Sequence, residues 1–266
     1  MSKNASIGIF DAGVGGLSVA RSVRAALPCE DIIYLADSIN APYGAKSVEF
    51  IQTRAFKISE FLIQHDVKMI VVACNTATVS TVKMLRHKFN IPIVGAEPGV
   101  KPAVSKTKSG KVCVMATTRT VESASLSDLI QRYSGETKII PQACPGLVEL
   151  IEDMKHETSE MHDFLENLTA PLIAQDVDTF VMGCTHYAFI VPMLRKIVGD
   201  NINIITTHDA IAKQVVHRLA VDGLTSDEAD LGQEVFWTNK KALIESKLID
   251  KLWGKAVSVK LLSNSV

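Results

Sequence analysis

Short apolar runs alternate with longer amphipathic stretches along nearly the whole chain, and that alternation leaves few folds open. Ser6 to Phe10, Asp31 to Leu35 and Met69 to Ala73 read as buried strands, with helical patterns after Gly16, from Ser47 to His65 and after Thr76. Repeated βα units of this kind predict a parallel sheet, because each crossover helix returns the chain to the same end of the next strand. The pattern restarts at Lys111 to Ala116, followed by a helix around Val121 to Tyr133, a strand at Lys138 to Ile140, a helix from Gly146 onward and a strand running up to Cys184.

The restart has the character of an internal repeat. Cys184 lies 110 positions after Cys74, and the strand ending at Asp11 has a counterpart ending at Thr117, 106 positions later. With 266 residues, 47% of them hydrophobic, the chain is long enough to bury two modest cores. The expectation is α/β: two similar parallel-sheet domains with a pseudo-twofold relation and an active site in the interdomain cleft. Pro and Gly punctuate Ile91-Pro-Ile-Val-Gly-Ala-Glu-Pro-Gly99, a candidate hinge, and a second hinge is expected near Ile204 to His208. The first domain is therefore expected to comprise residues 1–97 plus 208–266, and the second residues 98–207.

Composition narrows the functional classes. A formal net charge of -1 with mixed signs throughout argues against a nucleic-acid surface, so the expected partner is a small molecule. Five cysteines, none in a Cys-x-x-Cys pair, and a first strand reached without a basic, apolar leader indicate a reduced, cytoplasmic compartment. No apolar run approaches the roughly 18 residues that span a bilayer.

Two runs end on a thiol: Met69-Ile-Val-Val-Ala-Cys-Asn-Thr-Ala77 and Thr179-Phe-Val-Met-Gly-Cys-Thr-His-Tyr187. Both cysteines thus fall at carboxyl ends of strands, where open α/β sheets place their ligands. Asn75 and Thr76 suit the cap of a helix starting there, which would put the Cys74 sulfur beside backbone N–H groups and the positive end of a helix dipole. That setting favours the thiolate, and the same turn could bind a carboxylate. The bland alternative is an inert core cysteine. Cys184 has a similar setting with Thr185 as cap, and His186 stands two residues on, where a strand-like backbone would point both side chains the same way. A lone histidine is more often packing; adjacency to a thiol makes this one a candidate proton partner. Asp11 enters Ala12-Gly-Val-Gly-Gly16, a turn that lets a ligand approach the backbone but lacks the Lys-Ser/Thr of a phosphate loop, and Asp11 alone reads sooner as a helix cap. Glu152, at the start of a helical stretch, is not distinguished by spacing from Glu149 or Asp153. Asp37-Ser38 and Pro42-Tyr43-Gly44 form a polar loop at the same sheet edge as Asp11 and Cys74.

Taken together, these residues resemble the cofactor-independent amino-acid racemases of the aspartate/glutamate racemase superfamily. The resemblance rests on Phe10-Asp-Ala-Gly-Val-Gly-Gly-Leu-Ser18, Pro42-Tyr-Gly44, Ala73-Cys-Asn-Thr-Ala77, Thr117-Thr-Arg-Thr120, the Cys144-Pro to Glu152 segment and Gly183-Cys-Thr-His-Tyr187, in the family's order. It implies Cys74 and Cys184 as the two acid/base residues, Asp11 assisting Cys74, and Glu152 and His186 assisting Cys184. Asp11, Ala12, Ser38, Pro42, Tyr43, Gly44, Asn75, Thr76, Thr117, Thr120, Thr185 and His186 would line the substrate site. It further implies glutamate as the substrate, no cofactor or metal, a role in peptidoglycan synthesis, and a homodimer. The chain departs from the pattern at Ala12, where Ser is usual, at Ser38-Ile-Asn-Ala41 in place of Thr-Ala-Arg-x, and at Ala188, where Pro is common. Some members carry an N-terminal extension linked to activation by a cell-wall precursor; this chain begins close to its first strand, and such activation is not expected.

Other readings stay open on residues alone. A related racemase would act on aspartate. A zinc enzyme would use Cys74, Cys184, His186 and Asp11, although the close ligand pairs of structural zinc sites are missing. A thiol-redox enzyme would close the two cysteines into a disulfide. A binding protein would explain the cleft but not the two thiols. Cys29, Cys113 and Cys144 are assigned to packing.

Overall fold

The computed structural model describes residues 2–240 and 243–262. The chain divides into two compact units, Met1–Ala96 with His208–Val266, and Glu97–Thr207. Each is an α/β unit built on one fully parallel sheet.

In the first unit, β1 (Ser6–Asp11), β2 (Ile32–Ala36), β3 (Val67–Val72) and β4 (Ile93–Gly95) are joined by α1 (Leu17–Ala26), α2 (Val48–Gln64) and α3 (Asn75–Lys88). The second unit comprises α4 (Val100–Lys106), β5 (Lys111–Ala116), α5 (Thr118–Val121), α6 (Ala124–Tyr133), β6 (Lys138–Ala143), α7 (Leu147–Glu152), α8 (Ser159–Ile173), β7 (Thr179–Met182), α9 (Val191–Val198) and β8 (Asn203–Ile205). The chain then returns to the first unit through α10 (His208–Val221), β9 (Glu234–Thr238), α11 (Leu243–Trp253) and β10 (Val259–Leu261).

Strand order is β10-β9-β2-β1-β3-β4 in one sheet and β6-β5-β7-β8 in the other. The four-strand block β2-β1-β3-β4 and the second sheet therefore share one topology, which is the structural content of the sequence repeat. In each, the connection runs to one side of the first strand and then jumps to the other, creating a switch point between β1 and β3 and another between β5 and β7. Helices at that end diverge to opposite faces, and the strand termini there are where an α/β sheet offers its loops to a ligand.

The strands are apolar because both faces are covered. Every residue of β2 and β3 is buried, including Lys68, whose ammonium is neutralised by an ion pair with buried Glu30. Helix starts follow local capping rules: the Ser47 hydroxyl accepts from the Phe50 amide at 3.2 Å at the head of α2, and Thr158 does the same for Met161 at 3.4 Å at the head of α8. Gly16 brings α1 hard against the sheet; a Cβ there would lie 2.6 Å from the Asp11 Cβ and 3.1 Å from the Ala73 Cβ. Among the described residues no helix is long and apolar enough to cross a membrane.

Some boundaries move from their sequence expectation. The stretch expected as one helix from Val121 to Tyr133 breaks at Ser123, whose hydroxyl accepts from the Leu126 amide at 3.1 Å and so starts α6 afresh. β5 ends at Ala116, one residue before Thr117. Glu152 closes α7 and does not open a helix.

Candidate active site

Each unit brings a thiol to its switch point. In the first, Phe10 is paired with Val72 and Asp11 with Ala36, and the Ala73 amide donates to the Phe10 carbonyl at 2.9 Å. Cys74 thereby emerges beside Asp11. The sulfur itself, not Asn75 or Thr76, caps α3: the Ala77 amide donates to Cys74 Sγ at 3.4 Å. A backbone N–H aimed at sulfur, at the positive end of a 14-residue helix, stabilises the thiolate over the thiol. Asp11 is wholly buried, and its Oδ2 accepts from the Gly13 amide at 3.1 Å. The Gly13 carbonyl in turn accepts from the Tyr34 hydroxyl at 2.7 Å, fixing the glycine turn on the sheet.

The polar loop after β2 completes this half. Its anchor is Asp37, fully buried, which holds Tyr43 through the phenol hydroxyl and pairs with Arg54 of α2 at 2.7 Å. Burial, the Asp37 carboxylate and nearby Cys74 together hold the Tyr43 hydroxyl well above its usual range, so Tyr43 stays a neutral donor. Asn75 donates from Nδ2 to the Ala96 carbonyl at 3.0 Å, whereas Asn75 Oδ1 and Ser38 Oγ are buried with no partner among the described residues. Buried polar atoms of that kind are uncommon, and both sit just past the carboxyl ends of strands, Ser38 after β2 and Asn75 at the head of α3, where a polar ligand would satisfy them. Thr76 is buried on the first turn of α3. Ala12 and Tyr43 are buried on the two loops, with Pro42 and Gly44 flanking Tyr43.

In the second unit the Gly183 amide donates to the Met115 carbonyl at 2.8 Å, and Cys184 follows it. A Cβ at Gly183 would lie 2.8 Å from that same carbonyl, so only glycine allows this approach. Cys184 is extended and leads into a 3-10 turn, Thr185–Ile190, before α9. His186 therefore does not share a strand face with Cys184; the turn curls it back, leaving Nδ1 3.8 Å from Cys184 Sγ and Nε2 2.7 Å from Glu152 Oε1. Burial disfavours charge on His186, but Cys184 and Glu152 overcome it and hold its pKa well above the ordinary histidine value. The result is a linear Cys184–His186–Glu152 relay. Glu152 is thus distinguished from its neighbours by its place at the end of α7, a distinction helical spacing did not contain. Across the switch point, the Thr117 hydroxyl caps α5, accepting from the Thr120 amide at 3.4 Å and meeting the Thr120 hydroxyl at 3.1 Å. Thr185 is buried beside Cys184.

The remaining thiols differ in kind. Burial pushes the Cys144 thiol up to about 12, against a lowering contact with Tyr187, and burial raises Cys113 further. Both are inert packing groups. Among the described residues the side chains close enough to share a metal ion are His162, Asp163 and Glu166, exposed on α8.

Each unit thus carries one thiol with a polar partner at its switch point, and the comparisons place the chain in a family. The chain belongs to the Asp/Glu/hydantoin racemase family, whose model matches residues 17–215; it is an isomerase. Within that family it falls with the glutamate racemases. A glutamate racemase of Methylococcus capsulatus is 41% identical over 247 residues, 93% of this chain and 91% of the relative. The crystal structure of a glutamate racemase isoform of Bacillus anthracis superposes with a TM-score of 0.91 at 32% identity, covering 99% of each chain. Escherichia coli glutamate racemase, solved with L-glutamate and the activator UDP-MurNAc-ala, gives 0.85 at 30% identity over 97% of this chain and 98% of that one.

The Asp37 contacts to Arg54 of α2 and to Asn239, beyond β9, were not legible in sequence. Arg54 is one basic residue on an amphipathic helix, and Asn239 stands 202 positions from Asp37.

Proposed function

We propose that this chain interconverts L- and D-glutamate without a cofactor, in the cytoplasm, and supplies D-glutamate for peptidoglycan. Cys74 and Cys184 act on opposite faces of one substrate Cα. One thiolate removes the Cα proton as the C–H bond breaks, leaving a planar carbanion conjugated with the carboxylate. The opposite thiol then delivers its proton to the other face, and the two sulfurs have exchanged protonation states after one turnover. Asp11 assists at Cys74, and His186 with Glu152 assists at Cys184.

The observation that carries this reading is that each thiol has its own polar partner: the Ala77 amide at Cys74 and the Glu152-backed imidazole at Cys184. A Cα proton is a very weak acid, and hydrogen bonds from loop donors strengthen as water leaves the site, stabilising the carbanion. The N-terminus of α3, which Cys74 caps, suits a substrate carboxylate. Incubation with L-glutamate in D2O, with no added cofactor, should show loss of optical rotation together with deuterium entry at Cα. L-aspartate should show neither; exchange on aspartate instead would move the substrate assignment, and exchange on neither would end the racemase reading.

A further inference from the structure

Asp37 is fully buried and gathers donors from four segments. Arg54 of α2 addresses it as a fork, Nε to Oδ2 at 3.0 Å and Nη2 to Oδ1 at 2.7 Å. Tyr43 donates to Oδ2, and Asn40 Nδ2 donates to Oδ1 at 2.9 Å. The last donor is Asn239 Nδ2, from the residue following β9, which also reaches Oδ1. The same Asn239 amide accepts from the Ile39 backbone N–H at 2.9 Å through Oδ1.

These five donors equal or exceed the roughly four lone-pair sites a carboxylate offers, so Asp37 is saturated. Two consequences follow. Tyr43 has its proton directed at Asp37, and its oxygen lone pairs are turned away from the carboxylate. Asn239, bonded on both edges of its amide, can hold only one orientation and ties the loop backbone to the buried charge.

From this geometry we propose that Asn239 and Arg54 are positioning residues for substrate: acting through Asp37, they fix the loop of residues 38–45 and the direction of the Tyr43 hydroxyl. The inference deepens the racemase reading and rests on it for the identity of the ligand. The returning C-terminal segment thus contributes to the substrate site and not only to the sheet. Removing the Asn239 amide frees the Ile39 N–H and takes one donor away from a buried carboxylate, without touching either thiol.

The variants N239A, N239D and R54K test this with two readouts. In steady-state racemisation of L- and D-glutamate, N239A should raise KM about tenfold in both directions while kcat stays within about threefold, a split characteristic of lost positioning in the ground state. N239D should be worse than N239A, because it sets a second carboxylate against Asp37, and R54K should resemble N239A through loss of the fork. In amide hydrogen exchange, N239A should speed exchange in residues 38–45 while β1, β3 and the second unit keep their protection. Unchanged KM and unchanged loop exchange would overturn the proposal, as would protection lost across the whole first unit, which would mark Asn239 as a general stabiliser. If the unsubstituted protein fails to racemise glutamate, the functional reading falls, and loop exchange alone then decides the positioning proposal.

Discussion

The two sulfurs proposed as bases differ from their fellow cysteines in what stands within about 4 Å of them. Cys74 meets a helix N–H, Cys184 meets an imidazole, and burial suppresses ionisation of Cys144 and Cys113. Replacing either reactive thiol by Ala should lower racemisation by at least the 10² to 10⁴-fold typical of a lost general acid or base. The two variants should not be equivalent with a β-substituted substrate analogue that eliminates HX. Elimination needs only the thiol facing the departing proton, so each variant should retain it for one enantiomer and lose it for the other. Racemisation at the unsubstituted rate in both variants would dismiss the two-base mechanism. The place of the two thiols at strand ends was readable from sequence because each ends an apolar run. Their partners were readable only as candidates, since the curl of Thr185–Ile190 that turns His186 back on Cys184 leaves no periodic signature.

At the level of elements, packing at the switch point decides whether the loops can sit where they do. Gly16 has ordinary helical φ and ψ, so its requirement is space and not backbone freedom. Gly16→Ala would drive a methyl into Asp11, Tyr34 and Ala73. Overpacking of this kind costs about 1–3 kcal/mol, and the urea midpoint of the variant should fall accordingly. Activity should fall further than stability, because the group displaced is the turn that carries Asp11. The strands, helices and their parallel arrangement were legible because buried strands and amphipathic helices differ in period. Helix heads were less so: Ser123 interrupts one expected helix by capping the next, and only the folded backbone shows which of several Ser and Thr hydroxyls takes that role.

For the whole molecule, Asp178 and His186 contribute opposite pH dependences to stability on the two sides of neutrality. Burial would raise the Asp178 carboxyl, but donors from Thr107, Ser109, Lys108 and Thr179 hold it down to about 2. Its contribution is present above the unfolded value of about 3.9 and is lost as pH falls through the folded one. His186 runs the other way: held above its usual value of about 6.5, it stabilises fully below that pH and less as pH rises through its folded pKa. Urea midpoints should therefore be flat between about pH 4 and 6.5 as far as these groups govern them. D178N should make the acid limb shallower, and H186N the alkaline limb. The least legible feature lay at this scale too, since Asn239 reaches Asp37 across 202 positions and no local pattern announces it. The same return of the chain orders its birth on the ribosome. The second unit is one uninterrupted stretch, 97–207, and has every strand of its sheet as soon as it clears the exit tunnel. The first unit, although begun earlier, leaves the outer edge of β2 without its partner β9 until residues 234–238 have been translated. The half of the protein that starts first is thus the half that finishes last, and until then its open edge is the nascent chain's point of exposure to chaperones and to other nascent chains.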